Sequence, residues 1–247
     1  MIMNEMVPPD SNLTHRAYAR LKADLIACRL APDSRLNISR LQKDLGFSQA
    51  AVREALSRLT AEGLVTIEPN AGFRAASISR DGFRELTLAC ANVEVPCLRS
   101  ALANGDLKWE GALLATYHIA SKVLERVVAG EEDISAYAIQ RRAFHETLVS
   151  PCSNRWMLWS WRLLYTQHMR YRHTFQALST FELALKGDFN NFMENVLARN
   201  AEAAVQACLE NYAKIADFID GSNSSDPSLR AVDGHYADGV ETLRLGE

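Results

Sequence analysis

From residue 80 to residue 220 the chain carries no strand pattern. Apolar residues recur at three- and four-residue spacing, interrupted only at "NGD", "AGEED", "SPCSN" and around Ser179 and Asn200. That period puts apolar side chains on one face of a helix, and several such faces are buried only by packing on one another. Helices are expected at about 80–104, 107–129, 133–150, 154–179, 181–199 and 201–220, with Pro96 kinking the first. The result is an all-α helical bundle spanning residues 79–220. The stretch 221–247, rich in Gly, Ser and Asp, reads as a flexible tail.

The first third of the chain is organised differently. After a flexible start over 1–12, residues 14–28 read as a helix with Ala17, Leu21 and Leu25 on one stripe. "RLAPDSRL" breaks it, "ISRLQKDLG" forms a short helix ending at Gly46, and Ser48 caps the next one, "QAAVREALSRLTAEG". Val52, Ala55, Leu56 and Leu59 are its core face, while Gln49, Arg53 and Ser57 lie outside. "LVTIE" and "FRAASI" then flank the turn-forming "PNAG" as a hairpin. Two helices across a short glycine turn, followed by a hairpin, make a winged helix-turn-helix over residues 13–78. Base edges lie deep in the major groove, so a reading helix needs a small polar amino end. Gln49 and Arg53 supply amide and guanidinium donors, Ala50 can touch a thymine methyl, and Ser48 with the free helix amides can hold a phosphate.

Composition sets the outer limits. The 247 residues are 48% hydrophobic, which is a soluble globular composition. Residues 1–78 hold ten Lys+Arg against eight Asp+Glu, and the remainder seventeen against twenty-two, so a weakly basic head joins an acidic body. Five single cysteines without a C-x-x-C pair suggest neither a disulfide framework nor a zinc site. With no signal-like start and no run of eighteen apolar residues, the expected location is the cytoplasm.

Leu36, Leu41, Gly46, Ser48, the block Val52-Arg53-Glu54-Ala55-Leu56, Leu59, Glu62-Gly63-Leu64-Val65 and Gly72 together resemble the winged-helix domain of GntR-type bacterial transcription regulators. The resemblance implies DNA contacts at Ser39, Arg40, Ser48, Gln49, Arg53, Asn70 and Gly72, with Glu54 and Arg58 as ion-pair or surface residues. Where that family usually has arginine, threonine or serine, and often proline, this chain has Gln49, Ala50 and Ala51, so a family operator sequence does not transfer.

"GDLKWEGALLATYHIASKVLE", "FHETLVSPCSNRWML" and "RYRHT" make the body similar to the FadR branch, whose helical FCD domain binds a small effector and forms the dimer, and within it to regulators answering to small carboxylic acids. Over roughly 13–220 this implies an operator in the form of an inverted repeat, an organic-acid effector and a homodimer. Many members hold a divalent metal with one Asp and three His. Here Phe144-His145 matches, but the acid's position holds Arg141 and the other two histidine positions hold Phe189 and Asn211, so no metal or other cofactor is expected. Arg141 becomes the expected anchor for an effector carboxylate, with His145, Arg172 and Asn211 adding hydrogen bonds. The competing expectation is that Arg141 pairs with a nearby acid or faces solvent and Phe189 fills the cavity.

His118 and His168 read as hydrogen-bonded core or rim residues, and Trp156, Trp159 and Trp161 as packed helix core. Phe144-His145-Glu146 has no nucleophile, phosphate loop or second carboxylate beside it, so catalysis is not expected. Two other readings stay open: a constitutive DNA-binding dimer whose body has lost effector and metal binding, and a helical enzyme fused to a degenerate DNA-binding module.

Overall fold

The computed structural model describes residues 9–69, 72–174 and 177–221. The head begins with helix α1 (Pro9–Ile26), then α2 (Ile38–Leu45), α3 (Gln49–Ala61) and a hairpin of β1 (Val65–Glu68) with β2 (Gly72–Ala75). Helix α1 starts earlier than the sequence suggests, taking in residues 9–12, because a proline is tolerated in the first turn, where no intrahelical donor is needed. It also stops earlier, since Cys28 turns into the left-handed region at φ 52°. Asn37 caps α2 by accepting from the Arg40 amide at 3.0 Å, and Ser48 caps α3 by accepting from the Ala51 amide at 3.2 Å. Gly46, at φ 71°, makes the left-handed turn between them. Leu21, Leu25, Val52, Ala55, Leu56 and Leu59 meet in one core that excludes water. Each fully buried leucine contributes about 1.5–3 kcal/mol.

β1 and β2 are antiparallel, with Val65 opposite Ala75 and Glu68 opposite Gly72. The segment before α2 joins them, its Leu36 amide donating to the Phe73 carbonyl at 2.8 Å. This ties the wing to the helix-turn-helix.

The body consists of α4 (Arg80–Asn104), α5 (Leu107–Val128), α6 (Ile134–Val149), α7 (Arg155–Thr174), α8 (Ala177–Ala184), α9 (Lys186–Leu197) and α10 (Ala201–Gly221). Helix α4 continues through Pro96 without interruption. It packs on α10, α7 and α6, while α5 pairs with α6 and α9 with α10. Where the sequence suggests helices over 154–179 and 181–199, the chain forms three, and the extra one, α8, brings Glu182 to the interior. Among the described residues no helix is long and apolar enough to cross a membrane.

Candidate functional site

On the head, Ser39 and Arg40 are exposed on α2, and Ser48, Gln49, Ala50 and Arg53 are exposed at the start of α3, on the side away from its core face. Arg40 lies 3.4 Å from Asp44, one turn on. Gly72 opens β2 at φ 85°, a conformation that favours glycine, while Asn70 falls outside the described residues. Arg58 lies 4.4 Å from the Tyr18 ring centroid and Glu54 is exposed, so neither joins the polar nose.

In the body two cavities adjoin, of about 60 Å³ and about 40 Å³. Arg141 and His145 on α6, Phe189 on α9 and Asn211 on α10 line both. Spacing of one helical turn aims Arg141 and His145 the same way, and both are buried. Phe189 leaves the space open, although it packs at its edge in a tilted contact with Tyr117 and edge-to-face with Phe144.

Arg141 is not the empty-handed guanidinium that its sequence position suggests. Its Nη1 donates to the Tyr165 hydroxyl at 2.6 Å and its Nε lies 3.3 Å from Glu182 Oε1. Arg172 Nη2 pairs with the other oxygen of Glu182, and Tyr137 also donates to that carboxylate. Burial works against the charge of Glu182, but Arg172 and Arg141 outweigh it and hold its pKa below the usual carboxylate range. Arg172 therefore stands behind Glu182 and lines a separate cavity of about 10 Å³, not the two larger ones.

Next to this trio is a second buried pair. His145 Nδ1 lies 3.0 Å from Glu94 Oε1, and Glu94 Oε2 accepts from Trp161 Nε1 at 2.8 Å and the Tyr212 hydroxyl at 2.9 Å. Burial opposes ionisation of Glu94, yet His145 and these donors keep its pKa low; burial, with Arg141 and Arg172 close by, depresses that of His145 despite Glu94. The pair rests as a carboxylate beside a neutral imidazole.

Sequence pattern alone did not assign Glu94, Tyr137, Tyr165, Glu182 and Tyr212 to the site. Glu94 left a signal: it shares the apolar stripe of Cys90, Ala91, Cys97 and Leu98, where a charge needs partners. His168 is buried as expected, but neither ring nitrogen has a hydrogen-bond partner; His118 is exposed. Of the three tryptophans only Trp161 joins the core, because Trp156 and Trp159 project from the opposite face of α7 at 65% and 59% exposure. A divalent metal of the kind found in FCD domains does not fit here. A guanidinium, an amide and a phenyl ring stand with His145, and among the described residues no three His, Cys, Asp or Glu side chains gather.

Known proteins share this arrangement of domains. Residues 13–74 match the family of bacterial regulatory proteins called gntR, and residues 85–214 match the FCD domain. The chain is 34% identical over 203 residues to an uncharacterised HTH-type transcriptional regulator, BphR, of Paraburkholderia xenovorans, covering 79% of this chain and 80% of that protein. It is 35% identical over 155 residues to the HTH-type transcriptional repressor GlaR of Escherichia coli, covering 63% and 70%. The structure of Escherichia coli McbR/YncC matches with a TM-score of 0.72 over 89% of this chain and all of that one, at 17% identity, a likeness of fold alone. With both domain models matched in order and the cap, reading helix and wing in place, this chain belongs to the GntR family as a DNA-binding transcription regulator with an FCD domain, and not to a family of enzymes.

Proposed function

We propose that the head reads one half of an inverted-repeat operator within a two-fold dimer, through Ser39, Arg40, Ser48, Gln49, Arg53, Asn70 and Gly72, and that the body senses a small carboxylic acid which changes operator affinity. The observation carrying the sensing reading is the convergence of Arg141, His145 and Asn211 on two adjoining cavities. Two guanidiniums share the carboxylate of Glu182, and the second carboxylate of the cluster, Glu94, is held by His145, Trp161 and Tyr212. A buried guanidinium that shares its carboxylate and keeps donors unused favours an anionic ligand. The contacts of Arg141 use Nε and one hydrogen of Nη1, so Nη2 and the second Nη1 hydrogen supply the paired donors that a carboxylate takes. Arg172 contributes by holding Glu182 in place.

The same Glu182 pairing favours a second reading, in which Arg141 is satisfied internally and a body without a ligand serves only to dimerise a constitutive DNA binder. Operator titration at fixed salt, with and without a panel of small acids, separates the two. Arg141→Ala is expected to weaken acid binding by about 2–5 kcal/mol, the range for truncating one partner of a buried charge pair. Arg53→Ala is expected to weaken specific operator binding by roughly 1–3 kcal/mol with the fold intact, since its side chain is exposed. Operator affinity blind to every acid supports the constitutive reading, and an Arg53→Ala protein with unchanged affinity overturns the docking of α3.

A further inference from the structure

A carboxylate anchored on Arg141 is the reading on which the present inference rests, and it leaves open what else the acid must carry. Glu94 is ionised, so it can only accept hydrogen bonds, and the histidine nitrogen facing it must therefore bear the hydrogen. His145 is thereby fixed as the Nδ1–H tautomer, and Nε2 is the polar atom it has left to offer the cavities that it lines. That atom is a bare acceptor. One helical turn away Arg141 presents only donors.

We propose that Glu94, by setting the tautomer of His145, makes this a site for hydroxycarboxylic acids: the carboxylate takes Arg141 and a nearby hydroxyl donates to His145 Nε2. An acid lacking the hydroxyl leaves the lone pair of Nε2 desolvated and unmatched, which is the costlier half of a lost hydrogen bond. Glu94 touches no ligand in this scheme. It is a positioning residue, held by Trp161, Tyr212 and His145.

Glu94→Gln offers a specific reversal. Both donors that meet Oε2 require an acceptor there, so the glutamine oxygen takes that side and its amide group turns to His145. Nδ1 must then accept, the hydrogen moves to Nε2, and the cavity meets a donor where it met an acceptor. The experiment is calorimetry on the full-length protein with two matched pairs, butyrate against 2-hydroxybutyrate and succinate against malate. A long-range proton–nitrogen spectrum of histidine-labelled protein reports the tautomer directly. In the wild type we expect the hydroxy acid to bind about three- to tenfold more tightly in at least one pair, with the Nδ1–H signature at His145. In Glu94→Gln the preference disappears or inverts and the signature changes to Nε2–H. Equal binding within every pair that binds, an Nε2–H signature in the wild type, or an unchanged preference in folded Glu94→Gln overturns the proposal while leaving the carboxylate reading intact. If none of the four acids binds, the carboxylate reading fails and this inference with it. Should Glu94→Gln not fold, the two wild-type measurements decide alone.

Discussion

His168 shows how one side chain ties stability to pH. It is 1% exposed, packed beside Phe83, Tyr165 and Tyr212, with no hydrogen-bond partner on either ring nitrogen. Burial pushes its pKa well below the ordinary histidine value of 6.5, and Arg172, Arg141 and His145 push the same way. The unfolded chain therefore binds a proton in a range where the folded chain does not, so stability is full above about pH 6.5 and falls as the pH drops below it. His145 and His173 are shifted in the same direction and add to the slope. His168→Leu removes one of these groups together with a buried unpaired donor. Thermal unfolding between pH 8 and pH 5.5 is expected to show the variant no less stable at the alkaline end and losing less on acidification. Parallel curves for the two proteins would place the acid sensitivity elsewhere.

At the scale of elements, α7 is the link between the two domains. Tyr165, His168 and Arg172 fall on one stripe and face the buried polar cluster, whereas Gln167, Arg170 and Thr174 fall on another and meet the head. Gln167 Nε2 donates to the Glu62 carbonyl at the end of α3 at 2.6 Å, Arg170 donates to the Ala76 carbonyl just past the wing, and Cys28 Sγ lies 3.6 Å from the Arg170 carbonyl. A shift of α7 at Tyr165 must move one of these head contacts, because a helix transmits displacement along its length. Gln167→Ala is expected to lower stability by about 0.5–1.5 kcal/mol, to speed amide exchange around Glu62 and Gly63, and to reduce the effect of the acid on operator affinity. Exchange and response both equal to wild type would show that the head does not rely on this contact. The neighbouring α8 explains why part of the cavity was hard to foresee. α9 follows Leu185, a cap residue with no side-chain hydrogen bond to offer, so "FELALKGDF" lacks the polar signal that normally marks a helix start. Glu182 consequently had no assigned place in the interior.

Over the whole molecule, the exposed apolar side chains lie mostly on the body. Among the described residues Leu88, Leu107, Ile139, Trp156 and Trp159 of the body are each more than half exposed, against Ile67 of the head. Trp156 and Trp159, about one turn apart on α7, offer an apolar face of the kind that favours association, and a single recognition helix covers only half an operator. The full-length protein is therefore expected to sediment as a dimer at micromolar concentration with or without DNA, and its footprint to be a short inverted repeat. A species that is monomeric in the absence of DNA would move the interface from the body to the operator complex.

The sequence alone determined the elements of the head and the start and finish of α4, because their signals are local. Ser48, Gly46, Asp106 and Gly105 act on amides and dihedrals a few residues away, and apolar periodicity states which face of each helix is buried. That Arg141 and His145 point the same way was legible because they share a helix face, whereas the place of Asn211 beside them came from the resemblance to the FCD domain. What only the tertiary structure decided is the partnership of buried charges. Glu94 meets His145 across 51 residues, Arg141 meets Tyr165 across 24, and Arg172 and Arg141 share Glu182 on the separate helix α8. A local pattern shows that a charge lies on a buried face, but which opposite charge reaches it depends on how separate helices pack, and that is where the shared carboxylate of Glu182 and the acceptor edge of His145 arise.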